Sequence, residues 1–139
     1  MQRIEIEYDF ALPVDRVYAY LAEHENLGPM FGATITRVRD GDTSRNGKGS
    51  VRTLRLAILP PFQETITDAV PNERIDYRIT KGSPLRNHRG SMSFSARGTG
   101  SHLTYVIEFR AVVPGLDRMI KPGVERRIRK GLADVDAKA

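Results

Sequence analysis

The chain has 139 residues, which suits one α+β domain over 1–139 that buries roughly two-thirds of its unfolded surface. Hydrophobic residues make up 40% and charged residues 28%, excluding a disordered polymer, and no apolar run nears the roughly 20 residues a membrane-spanning helix needs. The net charge is +5 and cysteine is absent, so disulfide and thiolate chemistry are excluded and the expected compartment is the cytoplasm.

Residues 2–10 alternate Ile4, Ile6, Tyr8 and Phe10 with Glu5, Glu7 and Asp9, the pattern of a half-buried strand and not of a signal peptide. Pro13 ends that strand and suits the first turn of a helix. Val14, Val17, Tyr18 and Leu21 then recur at helical spacing, which predicts an amphipathic helix over 13–23. Gly28-Pro29 limits a second helix to a short turn around 25–31. Strands are predicted at 33–40, 48–59, 62–70, 74–81, 86–97 and 101–113. Asp40-Gly41, Asn46-Gly47, Pro60-Pro61, Pro71-Asn72, Gly82-Ser83-Pro84 and Gly98-Thr99-Gly100 supply the turns. Such short connections predict an antiparallel meander.

From 115 to 136 helical spacing returns, with Leu116, Ile120, Val124, Ile128 and Val135 along one side and Pro122-Gly123 expected to kink or split the helix. Residues 118–130 carry six bases, Arg118, Lys121, Arg126, Arg127, Arg129 and Lys130, against Glu125 alone. The acids Glu5, Glu7, Asp9, Asp15, Glu23 and Glu25 crowd the other end of the chain. A basic end of this kind suits nucleic acid, anionic lipid or an acidic ligand, or is a solvated helix face docked near an acidic strand. The elements together predict a seven-stranded curved antiparallel sheet wrapped around the long C-terminal helix, with two short helices after the first strand.

That order, with Phe10-Ala11-Leu12-Pro13-Val14-Asp15-Arg16-Val17, Gly49-Ser50-Val51-Arg52, the stretch Pro71 to Ile79 and the stretch Gly98 to Tyr105, resembles the START-like (SRPBCC) helix-grip superfamily. The polyketide cyclase/dehydrase branch is the most similar. The resemblance covers essentially the whole chain and implies an apolar or amphipathic small molecule held between sheet and long helix. Members include cyclases, lipid and quinone binders, hormone receptors and co-chaperones, with no shared catalytic set to carry over. One departure is the absence of a tryptophan near Leu27-Gly28-Pro29-Met30-Phe31, where many relatives have one.

Pairing the strands by turn length places Arg52, Asp68, Tyr77, Gly90 and Phe109 in one inward row, and Leu54, Ile66, Ile79, His88 and Ala111 in the next. Gly90 leaves space beside the Tyr77 ring. Arg52 and Asp68 form a charge-assisted pair that either orients a ligand or anchors strands. Glu64 shares the inward parity but lies roughly 11 Å from His88 by strand spacing and rise, too far for a direct hydrogen bond. In an apolar setting its pKa is expected to rise, making it a general acid, unless it sits solvated at the open end. Arg127 falls in the apolar stripe of the last helix, either to meet Glu64, Asp68 or an anionic ligand group, or to snorkel outward. Tyr8, Phe31, Phe94, Tyr105 and Phe109 supply walls, with Leu54 and Ile120 beside them.

His24, His88 and His102 lack metal-ligand spacing, and the calcium-like start Asp40-Gly41-Asp42 meets Arg45 where glycine is required. No metal and no cofactor is therefore expected. Three functions remain. The first is a binding domain for a hydrophobic or amphipathic small molecule, lipid, polyketide or quinone-like. The second is a cyclase or dehydratase in which His88 or Glu64 moves protons. The third is a protein- or RNA-contacting module using the basic helix, with RNA disfavoured by the lack of an aromatic-rich basic strand face. An exposed edge strand allows a homodimer.

Overall fold

The computed structural model describes residues 1–57, 60–82, 85–111 and 113–139. Apolar–polar alternation makes Gln2–Phe10 the first strand, β1, with Ile4, Ile6 and Phe10 buried and Arg3, Glu5 and Glu7 exposed. Pro13 stands just before helix α1 (Val14–Ala22), where its carbonyl accepts the N–H groups of Arg16 and Val17. A 3-10 turn (His24–Leu27) and the single-turn helix α2 (Gly28–Phe31) follow. The chain then runs through β2 (Thr34–Arg39), β3 (Val51–Arg55), β4 (Phe62–Val70), β5 (Arg74–Lys81), β6 (Leu85–Arg97) and β7 (Gly100–Ala111) into α3 (Leu116–Lys138).

The strands form one seven-stranded antiparallel sheet in the order β1-β7-β6-β5-β4-β3-β2, so the first strand closes against the last. Helices α1 and α3 cover its apolar face. This is the helix-grip arrangement of a curved sheet around a C-terminal helix, with short helices after the first strand. Pro122 lies inside α3 and does not split it. A single proline withdraws one N–H from the helical ladder, and the flanking turns carry the helix across. None of the helices is long and apolar enough to cross a membrane, among the described residues.

Beyond the proline α3 is fastened to the sheet. Ile128, Leu132 and Val135 are buried with Ile4, Ile6 and Leu103 in one core. The Asp136 carboxylate accepts the backbone N–H groups of Ala11 and Leu12 at 3.0 and 3.2 Å, tying the helix end to the turn after β1.

The register differs from the predicted one, and the differences are physical. Gly98, with φ 60°, lets β6 and β7 turn through Gly98-Thr99 alone, so Gly90 pairs with Ile107 and Phe94 with Leu103, two residues off the expected Phe109 and Tyr105. The third strand ends at Arg55, short of the expected 59, and the longer connection to β4 pairs Arg52 with Glu64 instead of Asp68. Irregularities in β4 between Gln63 and Glu64 and between Ile66 and Asp68 set Glu64 opposite Ile79 and Ile66 opposite Tyr77. Tyr77 does pair with Gly90. Residues 58–59, the Ser83-Pro84 part of the predicted turn, and residue 112 of the predicted last strand lie outside the described residues.

Candidate functional site

The first half of α3 does not meet the sheet flush. Between them lies a cavity of about 500 Å³, walled chiefly by apolar side chains that include Phe31 from α2, Leu54 from β3, Phe109 from β7 and Ile120 from α3. A hollow of this size between a sheet and a helix is the usual setting of a small-molecule site. Glu64 and His88 are the polar groups on its sheet wall, and Arg127 stands at its edge.

The corrected register explains the polar wall. Arg52, on β3, is 2% exposed, and Glu64 directly across on β4 is 4% exposed. Arg52 Nε donates to Glu64 Oε1 at 2.9 Å, and Nη2 sits 2.7 Å from the same oxygen with no hydrogen bond of its own. The guanidinium lies 4.9 Å from the Tyr77 ring centroid and 5.7 Å from that of Phe31, stacking that suits a desolvated arginine. Glu64 is not isolated among apolar groups: a guanidinium compensates its charge.

His88 reaches the same wall from β6. The β5–β6 ladder stops at Tyr77–Gly90, and the next free β5 donor, the Ile79 N–H, bonds the His88 Nδ1 at 3.1 Å. Since Nδ1 accepts, the neutral ring carries its proton on Nε2. Nε2 faces Glu64 Oε2 at 3.9 Å, so the two groups that the predicted register held far apart share one wall. Burial, aided by the charge of Arg52, holds the His88 pKa below its ordinary value against the pull of Glu64. The wall thus offers one donor, Nε2–H, and one acceptor, Oε2, which receives no hydrogen bond among the described residues.

In the same wall Tyr77 lies flat on Gly90, where even a methyl group would overlap its ring. The Tyr77 and Tyr105 hydroxyls hydrogen-bond each other, and burial pushes both phenol pKa values up, keeping both protonated.

Several residues expected at the site stand elsewhere. Asp68 is on the other side of an irregularity and pairs with Arg74 at the surface, so the Arg52–Asp68 pair does not exist. Tyr8 is half-buried against the Phe10 ring, 4.8 Å between centroids; it pairs with Leu103, away from the cavity-lining Ile107 and Phe109 farther along β7. Phe94 packs edge-on to Tyr18 under α1. Arg52, Gly90 and Tyr105 support the wall from behind without lining the cavity. Phe31, Leu54, Glu64, Tyr77, His88, Phe109, Ile120 and Arg127 do line it. Ile79, expected in the inward row, lines it too, as do Phe62, by its strand parity, and Val124, one helical step from Ile120.

Residues 1–139 match the family model described as polyketide cyclase / dehydrase and lipid transport. The chain belongs to that family. No curated protein matches it in sequence. Among solved structures it is similar to the ZhuI aromatase/cyclase from a Streptomyces species, at 17% identity and TM-score 0.76 over 97% of this chain and 93% of that one. It is also similar to a norcoclaurine synthase point mutant from Thalictrum flavum in complex with a transition-state analogue, at 12% identity and TM-score 0.71 over 99% and 92%. The di-domain aromatase/cyclase BexL matches at 18% identity and TM-score 0.72 over 99% of this chain and 46% of that one. At these identities the likenesses speak for the fold.

Proposed function

We propose that the protein binds a hydrophobic or amphipathic small molecule in the cavity between the sheet and the first half of α3. The observation that carries this reading is the hollow itself: about 500 Å³, apolar on most sides, with the donor of His88 and the acceptor of Glu64 on one wall. Burial of an apolar ligand surface supplies affinity, and a carbonyl or hydroxyl on the ligand meets the two polar atoms. A module that used only its basic helix would have no deep cavity, which counts against a nucleic-acid role.

The test is titration with the neutral fluorophore N-phenyl-1-naphthylamine. One saturable site is expected, with affinity at least about tenfold weaker in Val124→Trp, whose indole would fill the hollow at no great cost to a half-buried position. Absence of saturable binding, or binding indifferent to Val124→Trp, overturns the reading.

A cyclase-type activity is the second reading, supported by the pairing of Oε2 with Nε2–H and by the family's description. In it the Glu64 carboxylate takes a proton from the carbon beside a ligand carbonyl. The electron pair moves to the carbonyl oxygen, which the His88 Nε2–H steadies. His88 acts as a donor and not as the base, because its other nitrogen is occupied by the Ile79 N–H. In deuterated water the protein should exchange the protons beside the carbonyl of 2-undecanone, and Glu64→Gln should abolish exchange while keeping the ketone bound. Exchange that survives Glu64→Gln, or none in the unaltered protein, removes this reading and leaves binding.

A further inference from the structure

Two guanidinium groups at the mouth of the cavity have no partner among the described residues. Leu56 and Arg127 border both the cavity and a second, open hollow of about 750 Å³ beside it, which also takes in Pro29, Gly32 and Arg55. The two hollows adjoin, an apolar inner one and an outer one carrying two cations. Neither Arg55 nor Arg127 forms an ion pair or hydrogen bond among the described residues. Glu64 is the one carboxylate among the described residues bordering either hollow, and Arg52 already compensates it.

Arg127 is also placed. Gly32 ends α2 with φ 63°, and a methyl group built there would overlap the Arg127 guanidinium. An exposed arginine on a helix is ordinarily free to point into water. This one lies across the backbone of Gly32, at the boundary of the two hollows. Arg55 reaches the outer hollow from the end of β3. A charged group drawn into the inner cavity would be desolvated at large cost, whereas one left in the outer hollow keeps water and meets two guanidinium groups.

We propose that the ligand is an amphipathic anion, with its apolar body in the inner cavity and its anionic end between Arg55 and Arg127. This rests on the cavity reading above. The probes are decanoate and decanol, equal in chain length and differing in charge at neutral pH, titrated calorimetrically at low ionic strength. Decanoate should bind about tenfold tighter, a margin that shrinks as salt is raised. The double variant Arg55→Gln/Arg127→Gln should erase the margin by bringing decanoate to the affinity of decanol, with its thermal melt certifying the fold. Arg126→Gln, exposed on the same helix, should keep the margin. Equal affinity for the two probes in the unaltered protein, or a margin that survives the double variant, overturns the proposal while the cavity reading stands. Failure of both probes to bind overturns the two together.

Discussion

The two halves of α3 face the same sheet and do opposite things. Past residue 128 the helix meets β1 and β7 as a filled core: Leu132 and Val135 are at most 1% exposed, and Asp136 ties the end down. Before it, Ile120 and Val124 are only half-buried, Met119 is 77% exposed, and the sheet opposite is hollow. Buried polar groups divide the same way. His24, Ser50, Arg52, Glu64 and His88 belong to the β3–β6 side or the turn packed on it, and among the described residues Ser101 alone of these buried polar side chains lies by β1 and β7. One end of the sandwich is built for stability, and the other gives up packing and accepts buried charge to leave room.

The strongest challenge to that division is a pair of truncations. Arg52→Leu strands the Glu64 carboxylate in the wall and should cost about 3–5 kcal/mol in chemical denaturation, with Arg52→Leu/Glu64→Leu recovering most of it. If the double variant is no more stable than the single one, the pair is not what Arg52 contributes. On the filled side Leu132→Ala should cost about 3 kcal/mol, against less than about 1 kcal/mol for Val124→Ala on the hollow side. Equal losses would mean that the first half of α3 is as tightly packed as the second.

Gly90→Ala comes next. Its methyl group meets the Tyr77 ring, so a loss of about 1–3 kcal/mol is expected, relieved by adding Tyr77→Leu. Absence of relief would show that the strand backbone, not the ring, needs the glycine.

Acid sharpens the contrast further. His24 is fully buried, its Nε2 sharing a hydrogen bond with Ser50, and burial with the charges of Arg52 and Arg37 pushes its pKa down to about 3. His88 is lowered in the same direction. A histidine kept neutral by folding takes its proton when the chain opens, so its stabilising contribution is complete above about pH 6.5 and is lost as pH falls below that. His24, held down to about 3, contributes a slope approaching about 1.4 kcal/mol per pH unit there, and His88 adds in the same direction. Between pH 6.5 and 5, amide exchange should therefore accelerate in β3–β5 before β1 and β7. Uniform acceleration would count against a polar, less stable side. A small effect is also expected of Asp136→Ala, about 1 kcal/mol from two lost N–H bonds, measured by the same denaturation.

Much of the fold was legible. β1, β4 and β5 begin and end where alternation meets Pro, Asn or Gly, because side-chain parity and turn chemistry are both local. The pairing of Tyr77 with Gly90 was legible for the same reason. The partner of Arg52 was not. Choosing Glu64 over Asp68 depends on irregularities in β4 and on the length of the connection from β3, and neither leaves a mark in periodicity. Arg55 gave no signal at all: it has the outward parity of an ordinary surface residue and gains interest only when α2 and α3 bring Gly32 and Arg127 beside it.

The bond from Ile79 to the His88 ring has a last consequence. A seam between two strands is normally fastened carbonyl to amide, and it opens only with the backbone. Here one stitch is an imidazole, which swings on its own single bonds. Whatever engages the far nitrogen of that ring steadies the stitch as well, so cargo in the hollow should tighten the sheet that surrounds it. The exchange rate of a single amide, that of Ile79, would then report whether the protein is loaded, and a rate unmoved by occupancy would sever the two events.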